Sequence, residues 1–407
     1  MKIQTQAVKT YSDGQKQQRP LNIPITLAVN FEAASSEQLG DDFKQGSVNV
    51  YQRFGHPTTK AAADKIALLE GAEAGLVFSS GMGGISTALL AIAGVAGSHV
   101  VAQREIFAQT FTFLDETLRR LGVETTFVDV NNLAEVRAAI RPNTRAVYIE
   151  SPSNPLLKLP DIAAISSIAR ERSLPLLIDS TFASPYLQNP IALGAGLVLH
   201  SATKFLAGHS DVLCGAVVGS GDLISKVEAM QRLTGSILDP HAAFLLLRGI
   251  KSLGVRVQRQ SESALAIAHL LSAHAAVKAV EYPFLESSRY YPIARKQMRA
   301  GGGMIAFELH GGFAAARRFV NALGVISIAT SLGGVESVVE IPYELDFSED
   351  ELGEAANSTG ISPGLVRLSV GIEDLSDLSA DIEQALIAAQ TLPANEPRAA
   401  AEFTCIS

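Results

Sequence analysis

Short apolar runs alternate with amphipathic stretches through the first half of the chain. The runs 75–78, 99–102, 125–130, 146–150, 174–179 and 197–200 are brief, rich in branched side chains and bounded by polar or turn-forming residues, which predicts buried strands. The stretches 60–70, 85–92, 110–120, 133–140 and 161–171 carry helical periodicity. Such alternation predicts an α/β fold, a mostly parallel sheet with helices on both faces. Ligands of such sheets bind beyond the carboxyl ends of the strands. Phe107, Glu150 to Asn154, Asp179 and Ser201 to Lys204 all fall at or just past such ends, so one ligand site assembled from separated segments is expected.

From Asp239 the pattern changes. One long helix is predicted over 241–272, then a strand at 304–309, a helix at 314–323, a strand at 365–370 and a closing helix at 375–390. The first fifty or so residues lack periodicity and read as an arm or loop that lies on another subunit. The chain has 407 residues, more than one core usually supports. The expected division is an N-terminal arm at 1–60, a large ligand-binding domain at 61–255, a smaller α/β domain at 256–392 and a disordered tail at 393–407.

Composition narrows the function classes. A hydrophobic content of 47% and 33 glycines suit a packed α/β protein, and a net charge of −8 disfavours nucleic acid as a partner. The two cysteines, Cys214 and Cys405, imply no disulfide framework. The chain shows no run of about 18 apolar residues and no signal-peptide pattern at its start, so a soluble, cytoplasmic protein with no membrane partner is expected. The eight histidines have no metal-ligand spacing, which disfavours a metal hydrolase and predicts no metal.

The chemistry centres on Lys204, set among small and hydroxylated neighbours (Ser201, Thr203) just past the run 197–200. Asp179 ends the run before it. A lysine for a Schiff base and a carboxylate against a pyridinium nitrogen are what pyridoxal 5′-phosphate (PLP) enzymes require. The glycine-rich turn Ser79–Gly84, between a strand and a helix, suits an anion at the helix N-terminus, and it matches neither the dinucleotide fingerprint nor the P-loop. Tyr51 and Arg53, two apart, also suit a phosphate. Phe107 could stack on a flat ring, and Asn154 lies in a proline-punctuated loop. Arg367 stands in an otherwise apolar strand and needs a partner carboxylate, either from the protein or from a substrate. Thr58 or Thr59 is expected to cap the helix that follows.

Three motifs carry a family resemblance: 201–209 (SATKFLAGH), 331–337 (SLGGVES) and 366–373 (VRLSVGIE). From about Thr10 to Gln390 the chain resembles the Cys/Met-metabolism enzymes of PLP fold type I, which include cystathionine γ-synthase, cystathionine γ-lyase, methionine γ-lyase and the O-acyl-homoserine sulfhydrylases. The resemblance implies an aspartate-aminotransferase-like fold with PLP in the large domain. It implies that Lys204 holds the cofactor and shuttles protons, and that Asp179 keeps the pyridine nitrogen protonated. Gly81, Met82, Ser201 and Thr203 would bind the phosphate, with Tyr51 and Arg53 reaching to the neighbouring subunit's phosphate, in a homodimer at the least and usually a tetramer. Arg367, Ser331 and Asn154 would fix the α-carboxylate of a small amino-acid substrate.

The implied reaction is γ-elimination or γ-replacement on a homoserine-derived or sulfur-containing amino acid. Alternatives are a γ-lyase acting on a non-sulfur substrate such as canavanine, a β-lyase, or a non-catalytic PLP-binding protein. Two departures bear on the substrate. Phe107 stands where many members carry tyrosine, so Tyr51 is a candidate to replace the missing hydroxyl as a catalytic acid. The segment 341–346 (IPYELD) replaces a His-Pro-x-x-Met-Thr-His pattern, and the acidic insert 344–350 is a candidate lid.

Overall fold

The computed structural model describes residues 1–11, 18–346 and 361–390. Seven strands form the larger sheet: β1 (Ala74–Phe78), β2 (His99–Gln103), β3 (Glu124–Val128), β4 (Thr144–Glu150), β5 (Leu176–Asp179), β6 (Leu197–His200) and β7 (Gly215–Gly219). Their order is β1-β7-β6-β5-β4-β2-β3, with β7 antiparallel to both neighbours and every other pairing parallel. The α/β expectation holds. β7 was not legible, because GAVVG is short, glycine-bounded and without alternation.

Period-two alternation divides the sheet's side chains between two cores. Val100, Ala102, Tyr148, Leu177 and Leu199 pack on one face with Ile85, Leu89, Leu114 and Leu118. Val101, Val147, Ile149 and Ile178 pack on the other with Ile162, Ile165 and Ile168. Each such buried side chain contributes roughly 1.5–3 kcal/mol. All six predicted strands pair in this sheet, and their carboxyl ends converge on one edge.

Two helix starts differ from expectation in a way that matters for the site. The helix expected from Lys60 begins at Pro57, and its cap is His56, whose Nδ1 accepts the Thr58 N–H, rather than Thr58 or Thr59. The helix expected from Ile85 runs Gly81–Ala93 and is capped by Ser80, so the glycine-rich turn is itself the first helical turn. The stretch 110–120 is helical in three pieces, Ala108–Thr112, a π-helical turn at Phe113–Thr117, and Leu118–Arg120.

The long helix expected over 241–272 is two helices, Pro240–Lys251 and Leu253–Ala273, interrupted at Ser252. Beyond them a second, five-stranded sheet has the order β10-β11-β12-β9-β8, from β8 (Val277–Glu281), β9 (Met304–Leu309), β10 (Ser327–Ile328), β11 (Val338–Glu340) and β12 (Leu365–Ser369). The closing helix Leu375–Gln390 matches its expected bounds. The N-terminal region contains two helices that its sequence did not announce, Ile3–Val8 and Ser36–Gln45. Leu21, Leu27, Val29 and Phe43 stand exposed in it. Pro342–Asp346 forms a short helix, while the rest of the candidate lid and the tail 393–407 lie outside the described residues. No helix among the described residues is long and apolar enough to cross a membrane.

Candidate active site

Adjacent parallel strands place two carboxylates side by side, for Glu150 and Asp179 end β4 and β5 as register partners. Both are buried. Asp179 Oδ1 accepts the Thr181 N–H at 2.9 Å. Burial pushes the Asp179 carboxyl up, against the lowering effect of the Thr181 hydrogen bonds. Burial and then the Asp179 charge push Glu150 up, while the N–H groups of Phe107 and Asn154 pull it down. A protonated ring nitrogen beside Asp179 would favour its charged form in this buried setting.

Lys204 lies in the turn after β6. Its Nζ donates to Ser331 Oγ at 2.6 Å. Burial, reinforced by the Arg367 charge and opposed by Glu340, pulls its amine down to about 8. The turn is held from behind by Arg256, buried in the helix Leu253–Ala273, whose guanidinium donates to Phe205 O at 2.9 Å, Leu206 O at 3.3 Å and Gly249 O at 2.9 Å. Burial lowers the Arg256 pKa to about 10. Gly333 presses on the same turn with φ of 76°, and a Cβ there would sit 2.6 Å from Phe205 N. Only glycine permits that approach in that backbone conformation.

The anion cradle lies where the helix Gly81–Ala93 meets the Lys204 turn. A Cβ on Gly81 would lie 2.8 Å from the Ser201 Cβ and 3.0 Å from its Oγ, so backbone and hydroxyl share one small space. Ser80 takes the Gly83 N–H on its hydroxyl and the Gly84 N–H on its carbonyl. No described residue accepts from the N–H groups of Gly81 and Met82, which face the first turn of the helix dipole. Thr203 is committed elsewhere: its hydroxyl donates to Cys214 O at 3.1 Å and accepts the Cys214 N–H at 2.9 Å. Its proton would have to leave Cys214 to serve a phosphate.

On the opposite side Arg367, in β12, is buried among polar partners. Nη1 donates to Asn154 Oδ1 at 2.8 Å, Nη2 to Ser331 O at 3.2 Å, and Glu340 Oε1 lies 2.7 Å from Nη2. The partner carboxylate required by the sequence therefore comes from the protein. Ser331 has φ of 79°, rare for a residue with a side chain and a mark of backbone held by its surroundings. Phe107, with its ring partly exposed, donates its N–H to Glu150 Oε1 at 2.9 Å.

The fold links Phe107 to Asn154 through Glu150, links Asn154 and Lys204 through Arg367 and Ser331, and sets Gly81 against Ser201. Tyr51 and Arg53 are not joined to this group by any contact within the described chain. Arg53 instead donates to Arg232 O at 2.8 Å and lies against the Phe54 ring. Three residues with a hand in the site were not singled out by sequence reasoning: Glu150 as an acceptor, Glu340 and Arg256. Glu150 left a signal in its place at the end of the run 146–150, and Arg256 in its charge on the buried face of a helix. The donor set fits PLP, offering an amine, an anion for a ring nitrogen, a partly exposed aromatic ring and an anion cradle.

The chain is similar to known proteins along most of its length. Residues 4–387 match the family model described as Cys/Met metabolism PLP-dependent enzyme. The L-methionine gamma-lyase of Pseudomonas deceptionensis is 47% identical over 367 residues, covering 89% of this chain and 92% of that protein. The cystathionine beta-lyase of Lactococcus lactis subsp. cremoris is 44% identical over 337 residues, 83% of this chain and 88% of that protein. Among solved structures, the cystathionine gamma-lyase from Lactobacillus plantarum complexed with L-serine superposes with a TM-score of 0.88 at 38% identity, covering 96% of this chain and 100% of that one.

Proposed function

We infer the reaction from one premise: the chain belongs to the Cys/Met metabolism PLP-dependent enzymes. The reading is γ-elimination from an amino acid that carries a leaving group on Cγ, yielding a 2-oxo acid, ammonia and the released group. PLP, when bound, supplies the electron sink that makes the substrate's Cα–H acidic. The chain's own residues do the rest. Asp179 would hold a proton at the ring nitrogen, and Phe107 would offer its ring for stacking. The N–H groups of Gly81 and Met82, with the Ser201 hydroxyl, would receive the phosphate, and Thr203 would join them by turning its proton away from Cys214 O. Arg367, Asn154 and Ser331 would orient the α-carboxylate, and the Lys204 amine would take the proton from Cα, deliver it to the bound cofactor that serves as electron sink and, neutral again, take one from Cβ.

One observation carries this reading: Ser331 accepts from Lys204 through its hydroxyl and from Arg367 through its carbonyl. The candidate base and the candidate carboxylate anchor therefore meet on one residue. A substrate bound by its carboxylate at Arg367 has its Cα beside Lys204. Positioned general base catalysis of this kind is worth roughly 10²–10⁴-fold.

The proposal includes a homo-oligomer in which Tyr51 and Arg53 complete the neighbouring subunit's phosphate site, with Tyr51 available as an acid in place of the hydroxyl that Phe107 lacks. The exposed Leu21, Leu27, Val29 and Phe43 of the same N-terminal region support an interface there.

Glu340 favours a second reading of the substrate. A carboxylate beside the anchor suits a distal cation, such as the second ammonium of cystathionine or the guanidine group of canavanine, better than a methyl thioether. The test is an absorbance spectrum of the protein with PLP, followed by cystathionine, methionine, canavanine, O-acetylhomoserine and O-succinylhomoserine, each with and without a thiol. Release of 2-oxobutyrate and ammonia without the thiol is the expected result. Turnover only with the thiol would replace elimination by γ-replacement, and pyruvate as the keto acid would replace it by β-elimination. Absence of a Schiff-base band, or a function that survives Lys204→Ala, would overturn the catalytic reading.

A further inference from the structure

Glu150 stands at the centre of the site without touching the places where substrate would react. Its side chain reaches two loops at once: Oε1 accepts the Phe107 N–H at 2.9 Å and Oε2 accepts the Asn154 N–H at 3.3 Å. Its own N–H donates to Gln103 Oε1 at 3.0 Å, which fixes the strand end from which it projects. Asn154 in turn accepts from Arg367 through Oδ1 at 2.8 Å. An unbroken set of hydrogen bonds therefore runs from the backbone under the Phe107 ring to the guanidinium that would hold a substrate carboxylate.

We propose that Glu150 is a positioning residue that couples the Phe107 segment to the Asn154–Arg367 carboxylate anchor, so that binding an α-carboxylate at the anchor also seats the aromatic ring. The inference rests on the reading of the site given above and deepens it. It assigns recognition of an amino acid, as opposed to a plain amine, to a residue that touches neither. The chemistry requires a carboxylate. Two oxygens accept from two backbone N–H groups that lie 47 residues apart in sequence (107 and 154). The buried setting makes each bond costly to lose. A glutamine of the same shape offers one acceptor only and turns an N–H₂ toward the other N–H.

The test compares two small ligands with the same carbon chain, L-norvaline and 1-butylamine, which differ by the α-carboxylate. Each is titrated into the PLP-loaded wild type and the Glu150→Gln variant, following the cofactor absorbance. The expected result is a band retained in Glu150→Gln, norvaline affinity reduced about tenfold, as for loss of one hydrogen bond to a charged group, and butylamine affinity within about twofold of wild type. Equal losses for both ligands would make Glu150 a structural support only and overturn the inference, as would no loss for either. Should Glu150→Gln fail to fold, amide exchange in the wild-type holoenzyme decides. The segments containing Phe107 and Asn154 are expected to slow together with norvaline and not with butylamine. Slowing at Asn154 alone overturns the coupling. A wild type that forms no band with PLP overturns the functional reading itself, whereas a wild-type band with unselective losses overturns only this inference.

Discussion

The Nζ of Lys204 sits 2.6 Å from the Oγ of Ser331, a residue more than a hundred positions further along the chain and held with φ of 79°. The contact joins a loop of the second sheet to the turn that ends β6. It binds the lysine to the same serine whose carbonyl receives Arg367.

The first prediction concerns pH. Burial and the Arg367 charge pull the Lys204 amine down to about 8 from the ~10.4 of a free lysine, so its neutral form, the nucleophile and base, grows as pH rises through about 8. The rate at which PLP-free protein regains its absorbance band is expected to inflect there. Removing the positive neighbour with Arg367→Leu relieves repulsion of the ammonium and moves the inflection up. Glu340→Gln removes a stabilising anion and moves it down. An inflection that stays near 10 in wild type would contradict the environment described.

Asp179→Asn tests the ring-nitrogen partner. An amide cannot hold a proton at that nitrogen by charge, so kcat is expected to fall by roughly 10²–10⁴-fold while the absorbance band persists at shifted position. Steady-state rates with the best substrate of the panel and a spectrum of the variant measure both. Activity within a few-fold of wild type would remove Asp179 from that role.

Gly333→Ala separates backbone strain from steric contact when paired with Gly312→Ala. Both glycines have positive φ, 76° and 62°, and share a backbone penalty of about 1–2 kcal/mol. Only at Gly333 does a Cβ strike backbone, 2.6 Å from Phe205 N, whereas at Gly312 nothing lies within 4 Å. Gly333→Ala is therefore expected to lower the thermal midpoint further and to raise KM by displacing the Lys204 turn. Gly312→Ala should leave KM unchanged.

Phe107→Ala removes a ring from the mouth of the site. Stacking of this kind contributes about 0.5–1.5 kcal/mol, so PLP is expected to bind roughly two- to tenfold more weakly, measured by dialysis and absorbance. Phe107→Tyr keeps the ring and is expected to retain wild-type affinity.

Local pattern was enough for the larger part of the fold and for singling out the candidate residues Lys204 and Asp179. Buried strands in a parallel sheet must be apolar and short, and amphipathic helices must repeat with their turn, so six strands and the helices between them stand out. Lys204 and Asp179 stand out for the same reason, as charges at the ends of apolar runs. Where the local rule weakens, the reading failed. β7 has two glycines in five residues, and Ser252 interrupts an otherwise continuous helical pattern without a proline or glycine at the break.

By itself the sequence determined which residues could do chemistry, because charge, hydroxyl and glycine placement are local properties. Only the tertiary structure decided which of them share an environment. That Arg367 finds Glu340 across β11 and β12, that Arg256 braces the turn after Lys204, and that Glu150 holds two loops at once are consequences of strand register and helix packing. Register is set by pairing between segments far apart in the chain, and no window of neighbouring residues contains it.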